Sequence, residues 1–495
     1  IGRNGGPGQT TSLFLRGTES NHTLVLIDGV RINPGTIGGA ALQNINPDII
    51  ERIEIVKGSR SALYGTDAIG GVINIITEDL NDAPTISTSY RASSFGGTPK
   101  QISNDTVNSI FKSSINIPFN NFNFSTDLTY QHFLKGQQFE YISADQIDKI
   151  NFNNEIDWQA NNHVFQVAHQ KYNQVDEGAT RLSSGLILYT NETNIDRNQV
   201  TVNHRWTIKN DFSIEQTIRN ANYVRNYKVN NNDGSISTED ATEEKNTEYE
   251  LLFNRAYNNL IYNGGFEFSK PEYKSDRIAG GVQKKDIVGI FNQVAWNISS
   301  DINLVSGLRF DTYGDTTVLS PRLALSYKKS DTWIYRLAYG HGFRAPSFME
   351  SLIDWQHLQF GYTVQGNPNL KPEVSKGFTL GVEFRNKNNF QLSTLLYNNT
   401  FSNLIKDYAI EPGLLSYRNI EKAYFTGIEI ITKWTINSSL SSSFTFNYVK
   451  NEDKDNKQKM LPPTSKNHNH NHNHNNNIID NVKENYQVKC NINNI

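Results

Sequence analysis

The sequence predicts an all-β transmembrane barrel preceded by a small mixed α+β domain. Three observations carry that reading. From about Thr85 onward, apolar and polar residues alternate in runs of ten or more, the two-residue period of a strand with one face in apolar surroundings. Tight turns and long polar segments follow these runs in alternation, as in outer-membrane barrels with short turns on one rim and long loops on the other. The first 80 residues read differently: they are Gly-rich, with continuous apolar runs that suit strands buried on both faces.

Composition narrows the function classes. The 495 residues hold 47 Lys and Arg against 50 Asp and Glu, which argues against a broad basic face for nucleic acid. No apolar run approaches the roughly 20 residues of a spanning helix. The mean hydropathy of −0.56 looks soluble, yet barrel strands are only half apolar because their other face meets a polar lumen. Aromatic residues at 11% suit the girdles at both membrane interfaces. The single cysteine, Cys490, excludes an internal disulfide.

In the N-terminal domain, residues 24–27 (LVLI) form an apolar run ending at Asp28-Gly29, a turn signal. Residues 53–56 and 72–76 are two further strands, the last introduced by Gly70-Gly71, and 46–52 read as a short helical turn. In the barrel region Phe122, Phe124, Leu128 and Tyr130 alternate with polar residues. Val200, Val202 and Trp206 lead into the turn Lys209-Asn210-Asp211, after which Ile214 and Ile218 resume the pattern. The same grammar frames turns at Asn258-Asn259, Ser299-Ser300-Asp301, Lys329-Ser330-Asp331 and Asn437-Ser438-Ser439. Polar segments 134–150, 171–198, 228–246, 270–284 and 341–373 read as the long loops.

Such strands exceed the usual five or six residues of soluble sheets, and no blade repeat of a propeller is present. About 17 strands are expected between residues 85 and 450, whereas a bacterial barrel has an even number and large plugged barrels have 22. A barrel short of about five strands would leave an open edge, at several kcal/mol per unpaired backbone group in lipid. The chain is therefore expected not to make a stable membrane protein by itself. It begins at Ile1 without a signal-peptide pattern. Residues 467–495 read as a low-complexity Asn/His-rich tail, in which His468, His470, His472 and His474 are candidate ligands of a loose metal cluster. The division expected is 1–80, 81–466 and 467–495.

Motifs of bond-breaking chemistry are missing from the sequence. No Lys precedes Thr10 and Thr11 as a phosphate-binding loop requires, and neither a Gly-x-Ser-x-Gly elbow nor a His-Glu-x-x-His pair occurs. Asn231, Asp233 and Gly234 begin like a calcium loop, but Val229 stands where the first Asp belongs, so a solvated loop tip is the reading there. An enzyme is not expected.

The residues 12–17 (SLFLRG), 24–31 (LVLIDGVR) and 50–77 (IERIEIVKGSRSALYGTDAIGGVINIIT) resemble, in order, the plug motifs of TonB-dependent outer-membrane receptors. Tyr339-Gly340-His341-Gly342-Phe343-Arg344-Ala345-Pro346-Ser347 and Gly366-Asn367-Pro368-Asn369-Leu370-Lys371-Pro372-Glu373 resemble barrel motifs of that family, and Asn403-Leu404-Ile405 and Gly427-Ile428-Glu429 follow. The start at Asn4–Gln9 is most similar to the cobalamin-receptor branch.

This resemblance implies a Gram-negative outer-membrane transporter that binds a scarce nutrient, cobalamin or a ferric siderophore. It implies energy from TonB with ExbB and ExbD, through a TonB-box peptide upstream of Ile1 that pairs by strand addition. Lipid and lipopolysaccharide would surround the barrel. By the same resemblance Asn4, Gln9, Thr10, Thr11, Ser12, Thr36, Ile37 and Gly38 would lie at the ligand-facing apex of the plug. Asp28, Gly29, Tyr64, Gly65, Asp67, Gly70 and Gly71 would shape the plug, and Arg16 and Arg60 are expected to pair with lumen carboxylates. No cofactor is required. The resemblance also implies calcium in the outer loops, with Asp145 and Asp148 as scattered candidates where the branch has a dense acidic cluster. A non-transporting adhesin barrel and a β-rich enzyme are the alternatives from other classes.

Overall fold

The computed structural model describes residues 2–3, 11–12, 15–16, 18–27, 29–31, 42, 50–58, 65–77, 83–94, 107–134, 142–181, 186–278, 280–357, 361–386, 389–437, 440–453 and 485–494. No helix among them is long and apolar enough to cross a membrane.

The N-terminal domain is built on a four-stranded sheet, in the order Val30–Arg31, Thr23–Ile27, Gly71–Thr77, Ile50–Lys57. Thr23–Ile27 runs parallel to Gly71–Thr77, and the outer pairings are antiparallel. Two of the apolar runs bury both faces: Leu24, Leu26 and Val72 pack with Ala68 on one side, and Val25, Ile73 and Ile75 on the other, whereas Ile53 and Ile55 of the outer strand are exposed. The predicted helical turn over 46–52 is overtaken at Ile50 by the strand Ile50–Lys57; residues 43–49 lie outside the described residues.

Around this domain the sheet closes as a barrel. Its long members run from Thr85–Ser94 through Val107–Phe119, Phe122–Leu134, Ile142–Ala160, His163–Arg181, Ile187–Lys209, Phe212–Asn231, Ile236–Tyr257 and Leu260–Ser275. They continue through Ile287–Asn297, Ile302–Tyr313, Thr316–Lys328, Trp333–Arg344, Glu373–Asn386, Phe390–Glu411, Leu414–Asn437 and Leu440–Asp453. These are the seventeen strands that the alternation predicts. Asn120, Asn161, Asn258 and Asn389 take positive φ in the tight turns, a region that Asn enters at little steric cost.

Register shows why one residue in two is apolar. Leu337, Leu380, Leu396, Ile428 and Tyr448 stand opposite one another across five successive strands, forming a row on the outward face. Glu429, the next residue along, is buried on the lumen side.

Two expectations are corrected. The polar segments 171–198, 228–246 and 270–284 are strand over most of their length, 134–150 is strand from Ile142 onward, and the hairpin between Asn231 and Ile236 is tight. Beyond the lipid band both faces of a strand meet water, so the apolar alternation stops while the backbone ladder, with its own hydrogen bonds, continues. Second, part of the supposed tail is structural. Asn485–Asn494 pairs with Leu440–Asp453 over ten register positions and is the eighteenth long strand of the sheet, which closes among the described residues. Its alternation (Tyr486, Val488, Cys490, Ile492) is masked by the Asn/His run before it. His468, His470, His472 and His474 lie outside the described residues.

Candidate functional site

The N-terminal domain sits in the lumen, held along a seam of buried charge. Arg16 takes a left-handed backbone conformation (φ 53), which aims its side chain off the end of its turn. Its Nε donates to Glu429 Oε1 at 3.0 Å, its guanidinium reaches Thr379 Oγ1 at 3.3 Å, and its plane lies 4.1 Å over the Tyr397 ring. Lys57 Nζ takes the other Glu429 oxygen at 2.6 Å. One barrel carboxylate therefore holds two cations from the plug. Lys406 of the barrel pairs with Glu19 in the reverse sense.

A second knot centres on Glu373, whose side chain is fully buried. His22 Nδ1 accepts from the Glu19 amide at 3.2 Å, so its Nε2 carries the hydrogen and donates to Glu373 Oε2 at 3.0 Å. Arg344 Nε donates to the same oxygen at 2.6 Å, and the Ile405 amide to Oε1 at 2.6 Å. Phe401 stacks on His22 at 5.9 Å and joins Ile69, Leu404, Ala423 and Phe425 in an apolar patch that spans plug and wall.

The turn 65–70 closes the seam. The Asp67 amide donates to the Phe343 carbonyl at 3.1 Å, and Ser375 Oγ donates to the Ile69 carbonyl at 3.1 Å. Arg31 reaches Asp67 at 3.0 Å. Gly65 has φ +75, and a Cβ there would stand 2.9 Å from Arg309, whose guanidinium is buried against Asp311, Glu267 and the Phe291 ring. A Cβ on Gly70 would meet Thr18 Oγ1 at 2.5 Å. Buried ion pairs add little net stability, because desolvation nearly offsets their attraction, yet losing one partner is costly. A seam of this kind fixes position and can be wetted and remade without exposing a large apolar face.

At the rim opposite the turns at Asn120, Asn161, Asn258 and Asn389 lies an aromatic and cationic vestibule. Arg277 donates to Asp240 Oδ2 at 2.8 Å and lies 4.1 Å over Trp355; Arg225 donates to Asp240 Oδ1 at 3.3 Å and lies 5.0 Å over Tyr227. Two guanidiniums thus converge on one carboxylate, each lying over an aromatic ring. Lys285 donates to Tyr313 Oη at 3.1 Å beside Phe348, which stacks on Tyr273. Burial lowers the Lys285 pKa, and burial followed by the Arg277 charge lowers that of His357. These groups can stack on planar ligands and attract anionic ones.

The predicted residues divide as follows. Arg16, Gly65, Asp67, Gly70 and Gly71 lie on the seam or in the plug sheet, and Gly29 (φ 78) bonds Asn74 at 3.1 Å. Thr11 and Ser12 pair with Gly2–Arg3 in a short ladder. Asn4, Gln9, Thr10, Thr36, Ile37, Gly38, Asp28, Arg60 and Tyr64 lie outside the described residues. Asp145 is a strand residue, and Asp148 accepts from Tyr130 (2.8 Å), His132 (2.7 Å) and Gln146 (2.5 Å). Sequence reasoning missed His22, Glu350 and the Arg225–Asp240–Arg277 cluster as site residues. Glu373, Arg344 and Glu429 stood inside the barrel motifs, which was the available signal.

Comparison with known proteins agrees with this architecture. The family profile "TonB dependent receptor-like, beta-barrel" matches residues 81–471, and "TonB-dependent Receptor Plug Domain" matches 1–72. The chain is 26% identical to the iron-regulated outer membrane virulence protein of Vibrio cholerae, covering 91% of this chain and 71% of the relative. It is equally identical, with the same coverage, to the vitamin B12 transporter BtuB of Photobacterium profundum. An 81-residue stretch, 16% of this chain and 13% of the relative, is 58% identical to the vitamin B12 transporter BtuB of Vibrio vulnificus. The siderophore receptor PirA of Pseudomonas aeruginosa superposes with a TM-score of 0.73 at 19% identity, covering 89% of this chain and 79% of PirA, a likeness of fold.

Fold and seam define a plugged outer-membrane receptor. The chain belongs to the TonB-dependent receptor family and is an outer-membrane receptor and transporter of Gram-negative type. The family is one of transporters and receptors rather than enzymes.

Proposed function

We propose that this receptor imports cobalamin. The observation that carries the reading is the 58% identity over 81 residues to a vitamin B12 transporter, against 26% over the longer alignments. The ligand binds in the vestibule and against the plug apex. TonB, working with ExbB and ExbD, pairs with a strand of the receptor and loosens the plug, drawing on the proton-motive force of the inner membrane. The ionic seam suits that cycle, since charges separated by a moving plug can be hydrated. Calcium as an organiser of the outer loops belongs to the same proposal.

A second reading, ferric-siderophore uptake, is favoured by the vestibule. The Arg225 and Arg277 guanidiniums and the ring faces of Trp355 and Tyr227 suit an anionic aromatic iron chelate. The experiment is equilibrium binding of cobalamin, against a panel of ferric siderophores, to outer membranes carrying the receptor, with and without calcium. Saturable cobalamin binding supports the first reading. Binding of an iron chelate alone rejects it in favour of the second.

A further inference from the structure

A continuous buried chain of hydrogen-bonded polar and charged groups links the plug to an outer loop. It begins at His22 in the plug, passes to Glu373 of the barrel (3.0 Å) and returns through Arg344 (2.6 Å). Arg344 then grips Glu350 with both terminal nitrogens, at 3.0 and 2.8 Å. Glu350 is the third residue of the short helix Phe348–Leu352, in the segment between the strands Trp333–Arg344 and Glu373–Asn386.

Glu350 is also what shapes that segment. Its carboxylate accepts from the Ser347 amide at 2.8 Å while its own amide donates to Ser347 Oγ at 3.1 Å, a reciprocal helix cap. Its carbonyl accepts from the Asn367 amide at 2.9 Å, and the Gly366 amide reaches the Ile353 carbonyl at 2.6 Å. The helix therefore leads straight into the vestibule. Ile353 bridges Ile278, the Asp354 amide donates to the Arg277 carbonyl at 2.8 Å, and Trp355 lies under the Arg277 guanidinium.

We propose that Glu350 is a positioning residue that ties the vestibule loop to the seating of the plug. When the plug is seated, His22 holds Glu373 Oε2, Arg344 is fixed on that carboxylate, and Glu350 is held on Arg344. When the plug is drawn away, Glu373 loses the His22 donor and, among the described residues, keeps Arg344 as its side-chain partner. The guanidinium shifts toward it, the two-pronged grip on Glu350 opens, and the loop with Trp355 comes away from Arg277. Ligand release on the outside and plug movement on the inside are thereby coupled, and the coupling acts equally in both directions. The proposal rests on TonB-dependent transport and not on which ligand is carried.

Hydrogen exchange of the whole receptor in detergent tests it without any ligand. Glu350→Ala is expected to raise amide exchange tenfold or more in two places, its own segment 348–357 and the plug amides 20–24. A merely local cap would loosen only the former, and that result would overturn the proposal. His22→Ala is expected to raise exchange at 348–357, with the double variant no worse than either single one, since coupled residues are non-additive. Glu429→Gln cuts a different plug contact and is expected to leave 348–357 unchanged. Equal loosening by Glu429→Gln would show general unseating of the plug and sink the specific link. Exchange in Gly71–Thr77 reports whether each variant keeps its plug folded. Failure of cobalamin binding bears on the ligand alone and leaves these exchange results untouched.

Discussion

Arg16 in the plug and Glu429 in the barrel wall are 413 residues apart in the chain and meet at 3.0 Å, with only 3% and 5% of their side chains exposed. Because Lys57 shares the carboxylate at 2.6 Å, Glu429 compensates two plug cations at once. Glu429→Ala strands a buried guanidinium, a change that costs about 3–5 kcal/mol. The expected outcome is a lower denaturant midpoint for plug unfolding with the barrel transition unchanged, followed by separate fluorescent labels in each domain. Coincident shifts in both transitions would count against a local seam.

Gly65 is expected to tolerate no side chain. Its φ is +75, and the Arg309 guanidinium lies 2.9 Å from where a methyl group would stand. Together these predict that Gly65→Ala costs about 1–3 kcal/mol of plug stability. Gly29, with φ +78 and nothing within 4 Å, carries only the backbone penalty, about 1–2 kcal/mol for a left-handed residue. Comparing the two variants in one melting assay separates the contact from the backbone effect; equal losses would remove the contact from the account.

Arg277 distinguishes the two candidate ligands. Arg277→Lys keeps the charge but not the planar guanidinium that stacks on Trp355, and Arg277→Ala removes both. If an anionic ferric chelate is the ligand, its affinity is expected to fall tenfold or more in the Ala variant and less in the Lys variant. Cobalamin, with little net charge, is expected to distinguish the two variants far less. Binding isotherms of both ligands on the three proteins provide the check.

Acid is expected to loosen the vestibule. Burial, then the Arg277 charge, hold the His357 pKa below its ordinary 6.5. The folded loop therefore binds fewer protons than the open one, so its docking is fully stable above about 6.5 and weakens as pH falls through the lower folded value. Amide exchange at 354–357 is expected to rise on acidification in the native receptor and to lose that pH dependence in His357→Gln. A pH response that survives the substitution would assign it to another group.

Reading the barrel from sequence worked where physics repeats along the chain. Lipid on one side and a polar lumen on the other force a two-residue period, so Leu337, Leu380, Leu396 and Ile428 announce themselves by spacing alone. The tight turns did the same through their Asn and Asp residues. The period fails where both faces are wet, which is why 171–198 and 228–246 looked like loops, and where a biased run precedes a strand, as at Asn485–Asn494.

The seam lay partly in view. The plug and barrel motifs contained Arg16, Gly65, Glu373 and Glu429, but no local rule pairs residues hundreds of positions apart. His22 and Glu350 carry no motif of their own; their roles come from what closure of the sheet brings beside them. Sequence by itself determined the membrane-barrel class, the strand pattern and the family, because those depend on local period and ordered motifs. Which charges meet, and which arginine joins plug to loop, was decided only by the tertiary structure, since a buried ion pair is defined by two side chains sharing one desolvated place.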